Sequence, residues 1–266
     1  QKHAASQYTF EVDARLASDA LDRRTLFADY RNVSAYQSGK LFCREMCSDP
    51  IFPKEPLYGF NNWYYAYGKS NYNQIVSDAK LQVELSEGIE NKPFMVIDDC
   101  WQPKKCCGPW VPNRKFKDMK KLANEIKELG ARPGIWVRLL RNKDRVLKKN
   151  VRILRKGKRS YLDPTHPTVQ SYIRADVERV RDWGYELIKH DFSTADLFGD
   201  YGGNLTNGCT NIENWHFYDK TKTNAEIVLD FYKLIKDASG DMLIIGCNTF
   251  THLAAGLVHL QRTGDD

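Results

Sequence analysis

Three observations predict an α/β fold, a (β/α)8 TIM-barrel domain carried here through about its sixth strand. Short apolar runs alternate with amphipathic stretches of helical length, the pattern of parallel βα units joined by right-handed crossovers. Nearly every apolar run ends in side chains that can bind or react. Barrels gather such residues from the C-terminal ends of many strands, whereas an open sheet holds its ligand at one switch point. No glycine-rich GxGxxG or P-loop motif follows any run, which counts against nucleotide binding.

Taken in order, residues 57–60 read as the first strand and 73–87 as a helix with Ile75, Ala79, Val83 and Ser86 on one side. Residues 94–97 form a buried-strand run, 119–129 a helix closed by Gly130, and 134–140 a third strand. A helix over 168–183 stops at Gly184, and 186–189 is the fourth strand. Residues 224–238 read as helix and 242–246 as strand. A short helix around 252–256 leads into a last strand over 257–262. The first 56 residues differ: 14–30 has Leu16, Ala20, Leu21, Leu26 and Phe27 at roughly helical spacing, and Pro50, Pro53 and Pro56 follow. They are expected to be a lead-in or linker, the tail of an upstream domain, with the barrel over 57–266. Only 210 residues remain from Leu57 onward, short of the ~250 of a whole barrel, so an excerpt of a longer polypeptide is expected.

Composition narrows the class. The 266 residues are 42% hydrophobic and 28% charged, which excludes a disordered, collagenous or membrane-bundle chain. No apolar run reaches the ~18 residues of a membrane span. The net charge of +6 comes from basic residues spread along the chain, except for one run over 141–159. That run reads as a solvated, mobile loop before it reads as a nucleic-acid patch. Seven cysteines (Cys43, Cys47, Cys100, Cys106, Cys107, Cys209, Cys247) form an odd set without paired CxxC units, against both a zinc ribbon and a full disulfide framework. Asn32 and Asn204 begin glycosylation sequons. No signal peptide opens the chain, but an exported protein would have lost one, so the compartment stays open.

The polar strand ends carry the functional signal. They are Asn61-Asn62-Trp63, Asp98-Asp99-Cys100-Trp101, Trp136, Lys189-His190-Asp191, Cys247-Asn248 and Arg262-Thr263-Gly264-Asp265-Asp266. Asp98-Asp99 alone also reads as a cap or turn. Lys189 and Asp191, two apart, project to the same side of a strand, where the ammonium favours an ionised carboxylate; a structural salt bridge is the other reading. Arg262 with Asp265 and Asp266 admits the same pair of readings. Carboxylates among cations, with tryptophans to stack on sugar C–H faces, make up the equipment of a glycosidase. A metal site on Asp98, Asp99, His190 and Asp191 competes, but Lys189 would set a positive charge beside the ion.

Seven segments occur in a telling order: Tyr58-Gly-Phe-Asn-Asn-Trp63, Ile97-Asp-Asp-Cys-Trp-Gln102, Trp110-Val-Pro-Asn113, Pro133-Gly-Ile-Trp136, Leu162-Asp-Pro-Thr-His-Pro167, Trp183-Gly-Tyr-Glu-Leu-Ile-Lys-His-Asp191 and Arg262-Thr-Gly-Asp-Asp266. Together they resemble the melibiase-type α-galactosidases, glycoside hydrolase family thirty-six and the related family twenty-seven, from about Leu57 to the end of the chain. The resemblance implies a retaining hydrolase with a nucleophile at Asp191 and an acid/base at Asp266. It also implies that Asp98 and Asp99 hold the O4 and O6 hydroxyls of galactose, that Trp63 and Trp136 wall the pocket, that Lys189 and Arg262 bind hydroxyls, and that Cys247 lies near C2. Asn248-Thr249-Phe250 replaces the family's glycine-rich continuation after that cysteine, a departure from the family's pattern at the C2 side; Asn248 is counted with the expected substrate-binding residues. The implied substrate is an oligosaccharide or glycoconjugate with terminal α-galactose; no metal, cofactor or nucleic acid is implied. A galactosyl transferase of the raffinose-synthase kind, a non-catalytic galactose-binding barrel and, more distantly, a metal-dependent hydrolase remain open alternatives.

Overall fold

The structure is a computed structural model that describes residues 9–15, 21–27, 33–155, 158–198 and 215–262. It opens with two strands, β1 (Thr9–Arg15) and β2 (Leu21–Phe27), paired antiparallel from Thr9↔Phe27 to Arg15↔Leu21. The helical spacing expected over 14–30 is therefore corrected where it is described, at 14–15 and 21–27; residues 16–20 and 28–30 lie outside the described residues. Thr9-Phe-Glu-Val-Asp-Ala14 alternates polar and apolar residues strictly, which is a period of two, and pairing with β2 satisfies the backbone groups a lone strand would leave open. Helix α1 (Ala35–Met46) follows behind a capping box of Ser34 and Gln37.

Six parallel strands then form one sheet whose strand order follows the chain, a curled half-barrel. They are β3 (Gly59–Asn61), β4 (Phe94–Ile97), β5 (Arg132–Val137), β8 (Leu187–His190), β10 (Leu243–Gly246) and β11 (Leu260–Gln261). Helices link them: α2 (Trp63–Ala66), α3 (Tyr72–Leu85), α4 (Met119–Glu128), α5 (Pro167–Asp182), α6 (Ser193–Phe198), α7 (Asn224–Ser239) and α8 (Thr251–Ala254). Their starts follow local chemistry: Asn71, Asp118 and Thr223 each accept a bond from a backbone N–H of the first turn. Gly130 and Gly184, at positive φ just past α4 and α5, end those helices as expected from the sequence. No helix among the described residues is long and apolar enough to cross a membrane.

The sheet separates two apolar layers by residue parity. Met95, Ile97, Ile135, Ile188 and Ile244 pack outward against Ile75, Leu122, Ile126, Ile173, Val177, Phe231 and Ile235 of the helices. Phe94, Val96, Leu187, Leu243 and Ile245 pack together on the inner face.

The basic run over 141–159 is not the solvated loop its charge suggests. It contains a 3-10 turn (Lys149–Val151), β6 (Arg152–Arg155) and the start of β7 (Lys158–Leu162), which form a side sheet with β9 (Trp215–His216) in the order β7-β6-β9. Leu147, Val151 and Ile153 are buried, and burying three apolar side chains fixes a segment whose exposed cations hide that signal.

One strand contact is intolerant of any side chain. A Cβ on Gly59, at positive φ, would lie 2.0 Å from the Phe94 carbonyl oxygen. Gly59→Ala is expected to destabilise the fold by about 3 kcal/mol or more in urea denaturation. Gly39→Ala, in helix α1 with open space around it, should gain up to about 1 kcal/mol. Equal effects of the two would contradict the β3–β4 approach.

Candidate active site

The parity that sorts the core also assembles the site. Along each strand the inward positions run from apolar to polar toward the C-terminal end: Val96 to Asp98, Gly134 to Trp136, Leu187 to Lys189 and Asp191, Ile245 to Cys247, Leu260 to Arg262. A cavity of about 280 Å³ opens on this face, lined by Asn61, Tyr64, Lys189 and Arg262 above Phe60, Val96, Leu187 and Ile245. Apolar walls with a few convergent polar groups are the make-up of a small-molecule pocket.

Lys189 and Asp98 form its central ion pair, Nζ to Oδ2 at 2.7 Å, with both residues buried. Burial pushes the Lys189 pKa down, but the charge and hydrogen bond of Asp98, with Cys247 and Asp191 nearby, outweigh it, so the net shift is upward. The Asn61 amide also donates to Asp98 Oδ2 at 2.7 Å, and the Asp98 backbone N–H donates to Asn62 Oδ1 at 2.7 Å. Both asparagines belong to the polar strand end read from the sequence, although no substrate role was expected of them, and Asn61 has the inward parity that marks the others.

Asp191 lies one inward position beyond Lys189 and does not take the lysine as its hydrogen-bond partner. Three other donors face it: Trp136 Nε1 on Oδ2 at 2.9 Å, and Asn248 Nδ2 and the Phe192 backbone N–H on Oδ1, each at 2.7 Å. Three donors make a fixed cradle for a carboxylate. Trp136 is itself held, because Trp101 Nε1 donates to its carbonyl at 2.8 Å and Trp110 packs edge-on at 5.8 Å. Phe192 and Asn248 both sit at positive φ, and it is this backbone turn that brings the off-parity Asn248 onto Asp191. Cys247 is buried, and burial, then Asp191, push its thiol up to about 12. Arg262 reaches Asn248 Oδ1 at 3.5 Å and the Tyr64 hydroxyl at 3.4 Å. Trp63 is half-buried at the rim.

Asp99 points elsewhere. Its carboxylate accepts from the Cys100 N–H (2.7 Å), Gln102 Nε2 (2.5 Å), the Cys106 N–H (2.9 Å) and the Cys106 thiol (3.0 Å), which ties down the loop after β4. The structure thus brings Asp98, Trp136, Lys189, Asp191, Cys247, Asn248 and Arg262 together, while the Asp99 carboxylate is engaged by donors of the loop over 100–106. Asp265 and the expected acid/base Asp266 lie outside the described residues, as do Asn32, Asn204 and Cys209. His190 faces outward between Phe231 and Tyr232. Among the described residues, no three His, Cys, Asp or Glu side chains converge to hold a metal ion, and the six described cysteines are free thiols.

Sequence gave no warning of a second buried pair. Arg138, two residues past Trp136, donates from Nη2 to Asp196 Oδ1 at 2.5 Å and from Nε to Oδ2 at 2.9 Å, with its guanidinium 4.1 Å from the Phe192 ring centre. The pair pins α6 to the end of β5 and braces the residue next to Asp191.

These features define a partial parallel β/α barrel with its polar groups gathered at the C-terminal strand ends. The chain shares this fold with α-galactosidases of known structure. Similar ones include the α-galactosidase TtGalA from Thermus thermophilus in complex with stachyose (19% identity, 92% of this chain and 50% of that one, TM-score 0.69). The same enzyme with p-nitrophenyl α-D-galactopyranoside gives a TM-score of 0.70 at 19% identity over 92% and 48% of the two chains. The GH36 α-galactosidase AgaA from Geobacillus stearothermophilus, in complex with raffinose, gives 0.58 at 20% identity over 84% and 32%. The chain therefore spans about half the length of the Thermus enzyme. No protein-family model and no curated protein sequence matches it.

Two outcomes test this geometry. Asp99→Ala should cost about 2–3 kcal/mol in denaturant unfolding, because buried loop donors lose their acceptor; an unchanged midpoint would refute the loop-anchoring role. His190 is fully buried, and burial pulls its pKa from 6.5 to about 4. Between those values the unfolded chain binds the extra proton, so the contribution is present above pH 6.5 and lost as pH falls toward 4. It amounts to roughly 3 kcal/mol. His190→Leu should flatten stability against pH over that window.

Proposed function

We propose that this chain carries the sugar-binding face and the nucleophile of a retaining α-galactosidase, a glycoside hydrolase acting on terminal α-galactosides. The observation that carries the proposal is the three-donor cradle around Asp191, one inward position beyond the Lys189–Asp98 pair. The barrel fold shared with α-galactosidases supports it.

In this reading the sugar enters over the inner face, with Asp98 and Lys189 engaging its hydroxyls and Arg262 and Cys247 along its edge. Asp191 attacks the anomeric carbon as the glycosidic C–O bond breaks, forming a glycosyl–aspartate ester. Asp266 gives its proton to the leaving oxygen, then takes one from the water that cleaves the ester. Trp136, Asn248 and the Phe192 N–H hold the attacking carboxylate at a fixed angle, so little reorganisation is left to the reaction. Asp99 acts from behind, by fixing the loop that presents Asp98.

NMR of the first-formed sugar should show α-galactose, and net inversion would refute the mechanism. Asp191→Ala should lower kcat by about four orders of magnitude or more on aryl α-galactosides. Asp98 and Lys189 together match an axial hydroxyl, and a site built to hydrogen-bond a hydroxyl rejects its loss strongly. Aryl α-galactosides should therefore be preferred over α-glucosides by about a hundredfold in kcat/KM, corresponding to roughly 2.7 kcal/mol. Asp98→Ala should erode that ratio, and equal turnover of both sugars by the unaltered protein would overturn the assignment of Asp98.

A further inference from the structure

The positive charge of the chain is concentrated in one part of the fold. Residues 103–117 and 141–154, which follow β4 and β5, hold 11 of the 40 Lys and Arg and only one of the 34 acids, Asp144. The remainder has 29 basic against 33 acidic residues, so these two segments carry more than the whole net charge of +6. They also pack as one ledge: the Gly108 N–H donates to the Arg141 carbonyl at 2.9 Å, and the Lys143 N–H to the Gly108 carbonyl at 3.1 Å.

This ledge borders the end of the barrel where Asp98 and Trp136 sit. Lys104, Lys105, Lys143, Arg145, Lys148 and Lys149 are exposed, and none of them forms an ion pair among the described residues. Asp144 is engaged by the Tyr172 hydroxyl at 2.7 Å. The ledge is anchored from below by buried Leu147, Val151 and Ile153, and Arg152 Nη2 donates to the Asn142 carbonyl at 2.7 Å. Lys105 links it to the pocket, with its Nζ 5.6 Å from the ring centre of Trp63 at the rim.

Cations fixed about a rigid surface without counter-charges repel one another, and a ligand carrying repeated anions relieves that repulsion. The ledge has no exposed aromatic ring on which bases would stack, since Trp110 and Phe116 are both buried. We propose that the ledge binds the anionic remainder of the substrate, a carbohydrate bearing sulfate or carboxylate groups that runs outward from the pocket past Trp63 and Lys105. The sugar end of this inference rests on the function proposed above.

The test is affinity electrophoresis of the protein in gels containing a sulfated galactan or its desulfated form, alongside hydrolysis of p-nitrophenyl α-galactoside. The sulfated polymer should bind at least about tenfold more tightly, and 0.5 M salt should abolish the difference. The triple variant Lys143→Gln, Arg145→Gln, Lys148→Gln should lose most of that preference while its aryl-galactoside turnover stays within about twofold of the parent. Equal retardation by the two polymers would overturn the inference. So would a DNA oligonucleotide bound as tightly as the sulfated galactan. Retardation reads the ledge alone and aryl-galactoside hydrolysis the pocket alone, so failure of one is separable from failure of the other.

Discussion

The register of the parallel sheet governs the molecule. Asn61, Val96, Gly134, Leu187 and Leu243 stand level across five strands, and Trp136, Lys189, Ile245 and Leu260 form the next level up. Side chains alternate faces along a strand, so this alignment stacks the inward residues in tiers. The lower tier is apolar apart from Asn61 and closes the core; the upper tier is mixed and carries the ion pair. A shift of one residue in any strand would exchange its two faces. Lys189 would then enter the helix layer and His190 the pocket. Gly134 shows how tight the lower tier is, since a Cβ there would lie 2.9 Å from Val96 Cγ2.

Buried charge is handled in three ways around this register. Lys189 and Asp98 pair with each other while Asn61 adds a donor, and Arg138 and Asp196 pair in a two-pronged geometry. His190, set between Phe231 and Tyr232, is kept neutral by burial. Breaking either pair would strand a charge in the interior, which costs several kcal/mol. The geometry around Asp191 is thus enforced by neighbours that tolerate little displacement.

Much of this was legible in the sequence because one short-range rule, the period of two, decides both the core and the polar strand ends. All six strands and five of the helices between them fall where the apolar runs place them, within a few residues, whereas the short helices α2 and α6 carried no such signal. Asp98, Lys189, Asp191 and Cys247 share the inward parity that spacing alone specifies. What was hidden depends on backbone turns and long-range partners. Asp99 followed Asp98 in a motif, yet its opposite parity sends it into the 100–106 loop. Asn248 reaches Asp191 only through a left-handed turn. The partnership of Lys189 with Asp98 joins residues 91 apart, and Asp196 carried no local signal. Helical spacing over 14–30 drew attention away from the alternating pattern just before it, over 9–14, and high charge over 141–159 masked three buried anchors.

The strand order of the main sheet repeats the order of the chain. No neighbouring pair in it is separated by more than 56 residues, from Leu187 to Leu243, and none waits for a strand that comes later in sequence. Each new strand therefore meets an edge already in place as the polypeptide leaves the ribosome. Loop-closure entropy is met in modest steps, and the growing edge is the surface that the next segment covers. The architecture that stacks the pocket in tiers is thus also one that assembles vectorially, with β3, β4 and β5 able to fix Asn61, Asp98 and Trp136 before Lys189 and Asp191 are synthesised.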